Sequence, residues 1–121
     1  MESENEVILD SFLCKPSNYR LTPTGREITE ALIAVNRSHK KADYIPCIIW
    51  YKKAKTFSEL PVSAHVVITG RIQSREYIKA ISENESEIRV AYEVSVKDCE
   101  VIDRGNQRSS GEGINEDAVS E

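Results

Sequence analysis

At 121 residues and 13.7 kDa the chain is long enough for one domain and too short for two. Hydrophobic residues make up 40% and charged residues 30%, so a packed core can form and wholesale disorder is not expected. The formal net charge of -4 does not by itself point to a nucleic-acid partner, because phosphate binders are usually basic.

The chain opens on Met1-Glu2-Ser3-Glu4-Asn5-Glu6, acidic where a secretory signal is basic and then apolar. Val7-Ile8-Leu9 through Leu13-Cys14 predicts a first strand, followed by turn chemistry at Pro16-Ser17-Asn18. Thr22-Pro23-Thr24-Gly25 predicts a tight turn, in which Pro23 presets φ and Gly25 takes a positive one. Ile28 to Arg37, rich in Ile, Val and Ala, reads as a second strand. Lys40, Lys41 and Ala42 form a polar connector into a third strand from Asp43 to Tyr51. Lys52 to Leu60 lacks alternation and holds good helix formers, which predicts a short helix stopped by Pro61. Ala64 to Tyr77 is a fourth strand, Ser82 to Glu87 a polar loop, and Ile88 to Ile102 a long fifth strand.

Alternation assigns faces to the last two strands. Val66, Ile68, Gly70 and Ile72 share one face, and Thr69, Arg71, Gln73, Arg75 and Tyr77 the other. Ile88, Val90, Tyr92, Val94 and Val96 likewise oppose Arg89, Glu93, Ser95 and Lys97, which puts Tyr92 in the core. Asp98 then falls on the apolar parity, and a bulge near Lys97–Cys99 restores the pattern. Five strands with one short helix between the third and fourth describe an all-β, five-stranded OB-fold barrel over residues 1–103. From Arg104 onward there is no aromatic and little to bury, so residues 104–121 are expected to form a disordered acidic tail.

The charge is sorted along the chain. Residues 1–14 carry four acids and no base, residues 15–79 twelve bases and five acids, and residues 80–121 four bases and eleven acids. A basic middle in an acidic chain is more informative than the total. Cys14, Cys47 and Cys99 lie 33 and 52 residues apart, which fits neither a zinc site nor a disulfide framework. They are expected to pack as small apolar side chains in a reducing compartment. No run of about 18 apolar residues occurs, so no membrane span is expected and the location is taken as cytoplasmic.

Binding single-stranded nucleic acid without reading its sequence takes a cationic groove and flat side chains on which bases stack. The third strand supplies Tyr44, Pro46, Ile48 and Trp50 on one parity and Ile45, Cys47 and Ile49 on the other. Both faces are apolar, as they are in a strand that covers a core on one side and meets bases on the other. Arg71, Arg75 and Tyr77 share a face of the fourth strand, while Arg37, His39, Lys40 and Lys41 lead into Tyr44. Trp50 also fits a core position, Tyr77 an ordinary loop aromatic, and Lys52, Lys53 and Lys55 the solvated face of a helix.

At these residues the chain resembles the bacterial single-stranded DNA-binding protein family. The likeness runs through Asn5-Glu6-Val7-Ile8-Leu9, Arg20-Leu21-Thr22-Pro23-Thr24-Gly25 and Ile33-Ala34-Val35-Asn36-Arg37. It continues in Asp43 to Trp50 and in Val67-Ile68-Thr69-Gly70-Arg71-Ile72-Gln73-Ser74-Arg75, and covers about residues 5–103. The resemblance implies a protein that coats single-stranded DNA in replication, recombination and repair. It implies a homotetramer, with a dimer as the alternative, located at the bacterial nucleoid. Stacking aromatics of the family fall on Tyr44, Trp50 and Tyr77, with a further one near His39, and phosphate contacts on Arg37, Arg71 and Arg75.

The chain departs from that pattern in three places. Asp10-Ser11-Phe12-Leu13-Cys14 stands where the family usually has glycines, and Tyr51 where a glycine commonly follows the Trp50 position. The chain ends Glu116-Asp117-Ala118-Val119-Ser120-Glu121, without the terminal aromatic tip that recruits protein partners. Tail-mediated partners are therefore not carried over. No catalysis, metal or cofactor is expected, since no nucleophile–base pair or metal-ligand spacing is present. Two other readings stay open. One is a primosomal-type dimeric OB adaptor of replication restart, the other an OB protein-interaction module without nucleic-acid binding.

Overall fold

The structure is a computed structural model and describes residues 4–38 and 40–105. The elements are β1 (Val7–Leu13), β2 (Asn18–Leu21), β3 (Glu27–Arg37), β4 (Lys41–Trp50), α1 (Tyr51–Ser58), β5 (His65–Ala80) and β6 (Ser86–Asp103). The strands run in the order β1-β5-β6-β4-β3-β2. Pairing of Phe12 with Ala34 and Leu13 with Ile33 returns β1 to β3. Five strands thus close into a barrel with one short helix between its third and fourth, the OB architecture expected from the alternation.

The sixth strand, β2, lies between the turns expected at Pro16-Ser17-Asn18 and Thr22-Pro23-Thr24-Gly25, where no strand was expected. It is a four-residue hairpin arm on β3, paired from Asn18–Glu30 to Leu21–Glu27. All four of its side chains are exposed, so no buried face marks it in the sequence. The turn that creates it was legible: Gly25 takes φ 86, and Gly25 N–H donates to the Thr22 carbonyl at 2.8 Å.

Side chains of alternating parity fill the barrel: Ala31 and Ile33 of β3, Cys47 and Ile49 of β4, Val66 and Ile68 of β5, Val94 and Val96 of β6. Ala54 and Phe57 of α1, with Leu60 after it, plug one end of this core. Thr29 ties the helix down, its Oγ1 donating to the Ala54 carbonyl at 2.6 Å. Among the described residues no helix is long and apolar enough to cross a membrane.

The β5–β6 hairpin is longer than the barrel is deep. Thr69 pairs with Asp98 and Gly70 with Val96, so Lys97 is the extra residue of a bulge, within the stretch where the broken alternation requires one. Gly70 sits against that bulge, where a Cβ would lie 2.3 Å from the Ser95 carbonyl oxygen. Beyond the bulge both strands leave the barrel as a two-stranded arm. Its inner parity continues the core face past the core, which exposes Ile72, Ile78, Ile88, Val90 and Tyr92. Tyr92, expected in the core, is 66% exposed, because parity sets the side on which a residue lies and not its depth.

Candidate nucleic-acid interface

Register assembles one continuous outer face. Residues opposite each other in neighbouring strands point the same way. Tyr44, Pro46, Ile48 and Trp50 of β4 therefore lie beside Ala34, Leu32, Glu30 and Ile28 of β3. Ile48 lies beside Ser95 of β6, and Ser95, Glu93, Ala91 and Arg89 lie beside Arg71, Gln73, Arg75 and Tyr77 of β5. Ile28, Ala34 and Ile48 are buried although they lie outside the cluster that fills the barrel, so they form the floor of this outer face. The two apolar faces of β4 thereby acquire separate tasks: one seals the core, and the other carries the aromatics.

Trp50 is half-buried at one end of this face and donates from Nε1 to Ser95 Oγ at 3.1 Å. The bond pins the indole edge to β6, in the row that continues to Arg71. Tyr44 lies about 20 Å further along β4, six residues at the rise of a strand. Its hydroxyl is buried and meets no hydrogen-bond partner among the described residues. Tyr77 stands on the arm with its ring exposed, and the Arg75 guanidinium carbon lies 6.0 Å from the ring centroid.

The cations fall into two groups. Arg71 and Arg75 belong to the strand face. Arg71 is exposed and has no ion pair or hydrogen bond through its side chain among the described residues. Arg75 is engaged, its Nε donating to Glu93 Oε1 at 3.1 Å. Arg37, Lys40 and Lys41 sit at the β3–β4 hairpin, beyond Tyr44. Arg37 is paired with Asp43 at 3.2 Å, and Lys40 turns the chain with φ 63. His39 lies outside the described residues, as do residues 106–121 of the expected tail.

Sequence reasoning missed the acids on this face. Glu93 is buried between Gln73, which donates to Oε2 at 2.8 Å, and Arg75. Glu30 is paired with Arg20 at 3.0 Å. That bond, assisted by Asn18 and by the nearby Arg75 charge, holds the Glu30 carboxyl below its ordinary pKa. The signal for Glu93 was its shared parity with Ser95 and Arg89, but its pairing with Arg75 depends on the hairpin register. Asn5 was quoted only as part of a motif. Its side chain acts as one more rung of the β1–β5 ladder, accepting from the Ile72 N–H at 3.0 Å and donating to the Ile72 carbonyl at 2.7 Å.

Flat rings, guanidinium groups and a shallow apolar floor on one side of a barrel are what a single strand needs for stacking and phosphate contact. Among the described residues no group of three or more His, Cys, Asp or Glu side chains could hold a metal ion. The model of the Single-strand binding protein family matches residues 4–102. The chain belongs to this family.

Relatives agree with that assignment. The chain is 38% identical over 80 residues to Single-stranded DNA-binding protein 1 of Streptococcus pyogenes, covering 60% of this chain and 62% of that protein. It is 30% identical over 117 residues to Single-stranded DNA-binding protein A of Bacillus subtilis, covering 90% of this chain and 65% of that one. This single-strand binding family member therefore spans less than two thirds of either relative. Its fold is similar to a crystal structure of a deletion mutant of the Thermus aquaticus single-stranded DNA binding protein. The TM-score is 0.65 at 22% identity, over 81% of this chain and 40% of that one.

Proposed function

We propose that the chain binds single-stranded DNA without sequence preference and without catalysis, in replication, recombination and repair, as a nucleoid-associated cytoplasmic protein. Bases stack on Tyr44, Trp50 and Tyr77, while Arg71 and Arg75 meet phosphates along the strand face. Arg37, His39, Lys40 and Lys41 do so at the β3–β4 hairpin. Residues 1–103 act as the binding unit and residues 104–121 as an appended acidic tail. The observation that carries this reading is the row Trp50–Ser95–Arg71. It puts an indole and a guanidinium without a partner among the described residues on the two strands that flank Ser95, on the outer face.

The test is a titration with oligo-dT followed by the emission of Trp50, the only tryptophan. Stacking quenches it, and the log of the affinity falls with the log of salt by about 0.7 for each phosphate neutralised. Unchanged emission together with no binding at low salt sinks the reading and leaves the protein-interaction module.

Assembly into a tetramer is part of the proposal. What supports it is the underside of the arm, where Ile78 and Ile88 are 73% and 68% exposed and pair with each other. Such a face in a soluble chain marks a contact surface. Light scattering decides: a tetramer is expected, a dimer points to the primosomal-type adaptor, and a monomer removes self-association.

A further inference from the structure

We propose that Tyr51 is an additional base-stacking platform that extends the rung at Trp50 around the end of β4; the proposal rests on the DNA-binding reading above. Three observations carry it. The Tyr51 backbone has φ 58, a left-handed conformation that glycine adopts freely and residues with a Cβ do not. The turn from β4 into α1 needs that conformation, and a tyrosine is the residue that occupies it. Its ring does not compensate by burial, since Tyr51 is 55% exposed. The ring lies instead beside Trp50, with centroids 6.3 Å apart and planes inclined by 37°.

Strain of this kind persists where a local device uses it. Nothing inside the fold uses Tyr51: among the described residues its side chain makes no hydrogen bond, and its one ring contact is Trp50. The indole is pinned by its hydrogen bond to Ser95, so the pair presents two adjoining rings at the end of the strand face. Two rings in tilted contact suit two successive unstacked bases, each with its own π-face. Lys52, exposed on the next residue, supplies a charge at the same end.

The experiment compares the full chain with Tyr51→Gly, Tyr51→Phe and Trp50→Ala in oligo-dT titrations at low salt and in thermal melts. Tyr51→Gly is expected to weaken binding about five-fold or more, the lower end for one lost stack. Its melting temperature should equal or exceed that of the unaltered chain, because glycine relieves the backbone. Tyr51→Phe keeps the ring and should bind within about two-fold of the unaltered chain. Full affinity in Tyr51→Gly, with Trp50→Ala weakened, overturns the proposal and leaves DNA binding standing. Equal losses in Tyr51→Phe and Tyr51→Gly overturn stacking as the mode, and a lower melting temperature in Tyr51→Gly overturns the strain argument. If the unaltered chain does not bind oligo-dT at all, the DNA-binding reading falls and this inference falls with it.

Discussion

Arg75 on β5 is held by Glu93 on β6, with its Nε 3.1 Å from a carboxylate that is itself buried. A phosphate arriving at Arg75 must compete with that carboxylate, whereas one arriving at Arg71 meets a guanidinium with no partner among the described residues. The two arginines share a face and a strand, yet they are not equivalent ligands.

Glu93→Gln releases Arg75 while keeping the shape and the contact with Gln73. Its affinity for oligo-dT at low salt should rise several-fold, with a log–log salt dependence steeper by up to about 0.7. Titrations at four salt concentrations measure both, and unchanged slope and affinity would show that Arg75 takes no part in binding.

Tyr44 carries a buried hydroxyl that has no hydrogen-bond partner among the described residues. Leaving such a group unsatisfied costs about 1–3 kcal/mol, so Tyr44→Phe should raise the stability by about 1 kcal/mol in urea unfolding. Its ring remains, and oligo-dT affinity should hold, while Tyr44→Ala should lose about 1–3 kcal/mol of binding. A Phe variant that loses as much binding as the Ala variant would assign the contact to the hydroxyl instead.

The Arg20–Glu30 pair joins β2 to β3 and lowers the Glu30 pKa from 4.5. A carboxyl depressed in the folded state contributes stability above its unfolded value and loses it as pH falls through the folded one. The pair is largely exposed, so the contribution is at most about 1 kcal/mol. Glu30→Gln should therefore melt below the unaltered chain at pH 7, and the gap should narrow as pH falls below 4.5. A gap independent of pH through the acid range would mean the loss is packing and not charge.

Burial pushes the Cys47 thiol up to about 12 and the Cys99 thiol to about 11, Asp98 adding to the latter. Cys14 is raised from 9.0 by the same cause. Thiolate, and with it nucleophilic reactivity, is scarce in the folded chain at pH 8. Ellman's reagent should react slowly with the native protein and release three equivalents on unfolding. Because the folded state favours the neutral thiols, their contribution to stability is complete below pH 9 and declines as pH rises beyond it. Rapid labelling of Cys47 at pH 8 would contradict the burial argument.

Much of this molecule was legible before its structure. Alternation in β5 and β6 located the arginines, Tyr77 and the bulge, because a half-buried strand writes its two faces into every second residue. The apolar run Tyr44 to Trp50 announced a strand with a core behind one face and a second apolar face on the other side. What stayed hidden was set by distance and depth. β2 buries nothing, so no pattern marks it. Tyr92, Val90 and Ile88 obey the core parity, yet they lie beyond the end of the core. Glu93 reaches Arg75 only through the register of a long hairpin, and the left-handed backbone at Tyr51 has no signature in a tyrosine.

Lys97 decides which way the arm faces. It is the one unpaired residue of the β5–β6 ladder between the pairs Gly70–Val96 and Thr69–Asp98. In-frame loss of its codon would force half of β6 to slip by one position, and a slip of one exchanges the two faces of a strand. Either Glu93 and Ser95 would turn inward, or Cys99 and Val101 outward. Random replacement of Lys97 should be tolerated and its deletion should not, so a library carrying both lesions would show a site indifferent to spelling and intolerant of length.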